Sequence, residues 1–248
     1  MNLNFLFMDE CYSKDTAISS LTGILVSAHN YPDLRSKFYD LLQWAIQPRE
    51  HVVSSPPELH TNAFLSGHDD TVKLQNLEGV VDLVVSNRLR IYRVGYYVTK
   101  ETASLLPHDK QLLSLCWFSM VAMLQPEFES DMLVPVMDGF NPQTVLKFSG
   151  MIKSGDIFRA TGLEDSLSFH NTQNILGEVF YADSKFSVFT QVADVVSYLR
   201  HVADWSREGL AMTEFKKKLL KVAENLTPAL IREEIVAMNG SRPIRQKS

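Results

Sequence analysis

The sequence has little of what marks a secreted, fibrous or membrane protein. Only 2 of its 248 residues are cysteine, too few for a disulfide framework and without the paired spacing of a zinc site. Its 11 glycines and 10 prolines argue against a collagen-like or linker composition. No run reaches the roughly 18–20 apolar residues that span a bilayer, and the N-terminus lacks the basic start of a signal peptide. We therefore expect a cytoplasmic protein with no membrane partner and with Cys11 and Cys116 reduced.

Several common catalytic motifs are missing as well. The chain has neither GxxxxGK[ST] nor GxGxxG, so a glycine-rich phosphate loop is unsupported. It has no GxSxG, which argues against a serine hydrolase. His51, His60 and His68 lie close in sequence, but they fit no HExxH helix and have no cysteine partners. A zinc enzyme is therefore not favoured.

What is present is the composition of a folded globule with an uneven charge. Hydrophobic residues make up 45% of the chain and charged residues 21%, enough apolar surface to offset the entropy of folding. The net charge is -5, yet the segment from Phe215 to the end carries eight Lys or Arg against three Glu. A basic tail on an acidic body is typical of proteins that bind phosphate polymers, and equally of a solvated helix face.

Hydrophobic periodicity predicts strands and helices that interleave along the chain. Strands are predicted at 3–8, 19–27, 89–98, 132–137 and 174–181, and helices at 34–46, 70–87, 108–125, 142–154, 186–205 and 213–238, the last interrupted near Pro228. This order predicts a layered α/β domain with a largely parallel sheet. Residues beyond Ala229 are expected to be an appendage to the core.

Acidic residues follow three of the predicted strands directly. Asp9 and Glu10 end the first strand, Asp138 ends the strand at 132–137, and Asp183 follows the strand at 174–181. Ligands of open α/β sheets bind beyond the carboxyl ends of the strands, and grouped carboxylates there favour a hard divalent cation. Each acid taken alone fits a helix cap or a turn equally well.

The helix predicted at 186–205 adds a further acid. Gln191 and Asp194 flank its apolar stripe, and Asp194 lies among Val192, Ala193, Val195 and Val196. A carboxylate in such surroundings is costly to bury unless it is paired or binds a metal. The alternative is that Asp194 points to solvent.

These residues, in this order, resemble one known family. The matching pieces are Asp9-Glu10 after a buried strand, Glu58-Leu59-His60, the strand ending in Asp138, and Asp183-Ser184-Lys185 followed by Gln191-Val192-Ala193-Asp194. They resemble the "domain of unknown function 3800" family over roughly residues 3 to 200, although Cys11-Tyr12 replaces that family's usual Ser-Gly. The resemblance implies an RNase H-like mixed central sheet flanked by helices at 1–212, with a helical, basic C-terminal extension at 213–248.

The same resemblance implies a metal site. RNase H-like enzymes hold divalent metals with carboxylates on the first strand, a later strand and a C-terminal helix, places that Asp9, Asp138 and Asp194 would fill, with Glu10 as a fourth ligand. The metal would be Mg²⁺ or Mn²⁺. His60 and Lys185 would assist proton transfer and phosphate binding, unless they are an ordinary loop histidine and a surface lysine. Asp183, Ser184 and Gln191 would orient the ligands.

Two functions of different classes are consistent with this sequence. The first is a metal-dependent nuclease that hydrolyses phosphodiester bonds in DNA or RNA. The second is a catalytically silent RNase H-like module that binds nucleic acid or protein, which the basic tail and the altered turn after Glu10 favour. The sequence leaves the choice between them open.

Overall fold

The structure of the chain is a computed structural model. This structure describes residues 1–11, 16–45, 69–97, 109–128, 130–138, 179–182, 187–239 and 242–246. Within these ranges no helix combines the length and the apolar character needed to cross a bilayer.

The described elements alternate between strands and helices, as the periodicity predicts. The strands are β1 (Leu3–Cys11), β2 (Ile18–Ser27), β3 (Arg90–Tyr97), β4 (Met132–Asp138), β5 (Phe180–Ala182), β6 (Leu230–Asn239) and β7 (Arg242–Gln246). The helices are α1 (Tyr31–Ala45), α2 (Asp70–Ser86), α3 (Asp109–Leu124), α4 (Val188–Arg207) and α5 (Glu214–Glu224), with short 3₁₀ turns at Gln125–Glu127 and Thr227–Ala229. The helix predicted at 142–154 lies outside the described residues.

The seven described strands form one mixed sheet in the order β5-β4-β1-β2-β3-β6-β7. β1 is parallel to β4, β4 to β5 and β3 to β6, whereas β1–β2, β2–β3 and β6–β7 are antiparallel. The expectation of a largely parallel sheet is therefore wrong for half of these pairings. The physical reason is that β1 and β2 are joined by a connection too short for a parallel crossover, so β2 runs against its neighbours.

Helices cover both faces of the sheet. On one face, β1 and β2 pack with α1, α2, α4 and α5 around Phe7, Ile24, Phe38 and Phe189. On the other face, α3 contributes Trp117 and Met120 to a second core, to which Leu6 and Met8 of β1 also belong. Because alternate residues of a strand point to opposite faces, Phe7 and Met8 belong to different cores.

The C-terminal region departs from the sequence prediction of a helical extension. α5 begins at its N-cap Thr213 as expected, but residues 230–239 form β6, which adds to β3 in parallel. Hydrogen bonding along the free edge of β3 thus overrides the helical pattern of this segment.

Nor are the residues beyond Ala229 an appendage. Ile235 and Val236 are 7% exposed, and α5 contributes Leu219, Val222 and Ala223 to the same core as β1. The division of the chain at residue 212 stays a prediction, while the helical character of the whole segment 213–248 is corrected.

Candidate functional site

Two of the predicted carboxylates lie on adjacent parallel strands. Met8 of β1 pairs with Met137 of β4, so the next step along both strands brings Asp9 beside Asp138. Phe7 and Val136 lie two residues before Asp9 and Asp138 on the same strands, and both belong to the core beneath α4. Strand alternation therefore directs both carboxylates to the α4 face of the sheet, where each is half-buried.

Asp194 approaches this pair from α4. It lies in the second turn of that helix, beyond an N-cap at Ser187 whose hydroxyl accepts a hydrogen bond from the Thr190 amide. Burial, the charges of Asp194 and Glu10 and, to a smaller extent, that of Asp138 raise the pKa of Asp9 well above its usual range. These carboxylates are therefore within electrostatic reach of one another, and protonation of Asp9 relieves part of their repulsion.

Glu10 occupies a different position from the other acids. Because side chains alternate between the two faces along β1, the Glu10 side chain leaves the strand on the face covered by α3, where Tyr181 packs. Burial and the charge of Glu10 raise the pKa of Tyr181, and burial with the charges of Asp138 and Asp194 raises that of Glu10. Glu10 thus borders the acidic group from the other side of the strand.

Among the residues that the structure describes, no three histidine, cysteine or carboxylate side chains are gathered at a spacing that would hold a metal ion. The role of Asp9, Asp138, Asp194 and Glu10 as metal ligands therefore stays a prediction.

Of the remaining predicted site residues, the structure describes Gln191 but not the others. Gln191 is 3% exposed on α4, one turn before Asp194. His60, Asp183, Ser184 and Lys185 lie outside the described residues. Cys11, at the end of β1, is no candidate nucleophile, since burial raises the pKa of its thiol to about 12 and keeps it protonated at neutral pH.

Sequence reasoning missed a second charged group on the same face of the sheet. Arg93, in the middle of β3, is fully buried and donates from Nη1 to Asp204 Oδ1 (3.0 Å) and Glu233 Oε1 (2.9 Å). Its Nη2 donates to Ser20 Oγ (2.9 Å) and to the second oxygen of Asp204, which is also fully buried. An arginine in the middle of a mostly apolar strand was the available sequence clue, because buried charges are rare.

Two further arginines complete this group. Arg200 donates to Glu233 Oε1 (2.8 Å) and Arg207 to Glu233 Oε2 (2.7 Å). Burial alone would raise the pKa of Glu233, but the three guanidinium groups lower it to about 2. We call Arg93, Asp204, Glu233, Arg200 and Arg207 the arginine network. It joins β3, β6 and α4 on the α4 face of the sheet.

Comparisons with known proteins add little beyond this geometry. No protein-family model matches the chain, and no curated protein sequence matches it. Among solved structures, the chain is similar to a crystal structure of Bst-RNase HIII in complex with Mn²⁺, with a TM-score of 0.45 and 11% sequence identity. The match covers 90% of this chain and 70% of that one. At this level the likeness carries no argument about activity, and what defines the molecule is a mixed α/β fold with grouped carboxylates at adjacent strand ends.

Proposed function

We propose that this protein is an RNase H-like, metal-dependent phosphodiester hydrolase that acts on nucleic acid. One observation carries the proposal. Asp9 and Asp138 are neighbours on parallel strands and share the face covered by α4, from which Asp194 adds a charge that raises the pKa of Asp9. Membership in the domain of unknown function 3800 family is part of the proposal and rests on the sequence resemblance.

The donor set fits a hard divalent cation. All the proposed ligands are carboxylates, the oxygen donors that Mg²⁺ and Mn²⁺ prefer, and their repulsion is what a cation would neutralise. Asp9, Asp138 and Asp194 would hold the metal, with Glu10 at its border. When bound, such ions lower the pKa of a water and stabilise the leaving oxygen of an in-line displacement.

The protein's own groups would prepare this site in several ways. α4 covers one side of Asp9 and limits its contact with water, which strengthens electrostatic interactions within the site. Gln191, buried one turn before Asp194, is suited to orient that carboxylate by hydrogen bonding. We assign Asp183 and Ser184 the same supporting role, Lys185 contact with a phosphate oxygen, and His60 proton transfer.

The decisive experiment measures Mn²⁺ binding and cleavage together. At about 100 times its Kd, Mn²⁺ stabilises a single-site protein by about 2.7 kcal/mol, or roughly 5–10 °C in Tm for a chain of this size. We expect this shift in the wild type and its loss in Asp138→Asn, together with cleavage of labelled DNA or RNA. Asp82→Asn, an exposed acid on α2, is the matched control and should behave as wild type. Metal-independent cleavage that survives in Asp138→Asn would overturn the proposal.

The catalytically silent binding module is the second candidate. It is favoured by Lys217, Lys218 and Lys221, which are exposed on α5. Deleting the chain beyond Phe215 would remove core residues, so charge reversal of these three lysines is the better test. Salt-sensitive nucleic-acid binding that is lost on charge reversal but kept in Asp9→Asn, without any cleavage, would favour this candidate.

A further inference from the structure

A polar ladder crosses three strands on the α4 face of the sheet. Asp9 of β1 pairs directly with Thr22 of β2, and Thr22 pairs directly with Arg93 of β3. Side chains paired in this way share a face, so Thr22 lies between a candidate metal ligand and the arginine network. Ser197 of α4 lies near Asp9 on the same face of the sheet.

Three atoms of this region are buried without a hydrogen-bond partner in the described part of the chain. They are Thr22 Oγ1, Ser197 Oγ and Arg93 Nε. Thr22 and Arg93 are 0% exposed and Ser197 is 1% exposed. The approach of Ser197 to Asp9 thus falls short of standard hydrogen-bond geometry. Folded proteins rarely leave such groups unsatisfied, and an ordered internal water is their usual partner where protein groups do not reach.

Strand register and hydrogen bonds connect the two charged groups. Cys11, two residues after Asp9 on the same face of β1, pairs with Ser20 of β2. Ser20 accepts a hydrogen bond from Arg93 Nη2 (2.9 Å), and Arg93 Nη1 donates to Asp204 of α4 (3.0 Å). The carboxylates and the arginine network therefore border one group of polar side chains beneath α4, and the three unpartnered atoms belong to that group.

We propose that Thr22, Ser197 and Arg93 Nε share ordered internal water, and that this water links Asp9 to the arginine network. Thr22 and Ser197 are then positioning residues for Asp9, although neither touches the metal or the substrate. This part of the inference rests on the proposed metal site. The water itself does not, because it follows from the buried polar atoms alone.

The direction of the Tm change in Thr22→Val tests whether this internal water is present. Thr22→Val keeps the shape of the side chain and removes only the hydroxyl. If the hydroxyl holds a water, its loss leaves that water and Arg93 Nε short of a partner, and the Tm falls below that of the wild type. If the hydroxyl has no partner, an apolar replacement of the same shape is neutral or stabilising. A Tm at or above the wild-type value therefore overturns the proposal. Thr190→Val is the control for loss of a satisfied hydroxyl, since Thr190 Oγ1 donates to the Ser187 carbonyl (2.8 Å), and its Tm should fall.

Metal affinity tests the positioning role. Loss of groups that support metal ligands typically weakens metal binding about 10–100-fold. We expect the Mn²⁺ midpoint, followed by thermal shift, to rise about 10-fold in Thr22→Val and Ser197→Ala. It should stay near wild type in Thr22→Ser, which keeps the hydroxyl, and in Thr190→Val. Equal midpoints in Thr22→Val and Thr22→Ser would overturn the positioning role. If the wild type binds no Mn²⁺, the proposed function and with it the positioning role fail, while the Tm of Thr22→Val still decides the internal water.

Discussion

Replacing Arg93 by methionine is the sharpest perturbation that the arginine network offers. Arg93 supplies two hydrogen bonds to Asp204, one to Glu233 and one to Ser20. Without it, Glu233 keeps Arg200 and Arg207, but fully buried Asp204 keeps, among the side chains that the structure describes, only the 3.5 Å contact with Arg207. The cost of the substitution is therefore set mainly by Asp204.

Removing one partner of a buried ion pair typically costs about 3–5 kcal/mol, because the other charge is left uncompensated. For a chain of this size that corresponds to a Tm decrease of roughly 6–20 °C. Chemical denaturation at pH 7 would measure the free energy of unfolding of the wild type and Arg93→Met. Arg35→Met, on the exposed side of α1, is the control and should stay within about 0.5 kcal/mol of the wild type.

A double variant separates charge from packing. Adding Asp204→Leu to Arg93→Met removes the uncompensated carboxylate, so the pair should recover more than half of the lost stability. Additive losses in the double variant, or a loss below about 1 kcal/mol in Arg93→Met alone, would show that this prediction is wrong. Either result would mean that the guanidinium does not compensate a buried Asp204.

The remaining predictions concern the carboxylates and one close packing contact. Burial and neighbouring acids raise the pKa of Asp9 in the folded state, so stability is lost as the pH rises from the ordinary aspartate pKa through this raised pKa. Asp9→Asn should therefore raise the Tm of the metal-free protein at pH 8 and have little effect near pH 4. A lower Tm of this variant at both pH values would contradict the assignment. The lowered pKa of Glu233, about 2, implies a stabilisation of about 3 kcal/mol that is present above about pH 4.5 and lost as pH falls toward 2. The stability difference between wild type and Glu233→Gln should therefore shrink on acidification, and a constant difference in denaturation curves from pH 6 to 2.5 would count against it. Gly95→Ala would place a Cβ 2.8 Å from Ile235 Cδ1 and 3.2 Å from the Ser19 carbonyl oxygen, and should cost about 1–3 kcal/mol; an unchanged denaturation midpoint would show that β3 and β6 are packed less closely.

The local sequence pattern was sufficient to predict most of the helices and strands and part of the candidate site. The buried runs that end in Asp9 and Asp138 were recognisable because a strand of apolar residues is bounded sharply by its first charges. The prediction that both acids lie at one edge of a sheet agrees with the register of β1 and β4. Asp194 was found by helical spacing, and its influence on the pKa of Asp9 agrees with a place near that edge.

Other features could not be read from local pattern. Periodicity predicts helix over 213–238 with an interruption near Pro228, yet β6 forms at Leu230–Asn239 because the edge of β3 offers it a hydrogen-bonding partner. β2 runs antiparallel to β1 because the connection between these two strands is short. The direction of β2 therefore depends on the position of β1 in the sheet, which local pattern does not contain. Cys11 and Ser197 had no visible role in sequence because their surroundings come from other elements.

The amino-acid sequence was sufficient for most of the strands and helices before residue 230 and for the positions of the acids, because these follow from the periodicity of neighbouring residues. What surrounds those acids depends on the three-dimensional fold. Arg93 reaches Asp204 across 111 positions and Glu233 across 140, and no local spacing encodes contacts of that range. Whether a buried charge is compensated depends on which distant side chains the fold brings to it, and that is settled by packing.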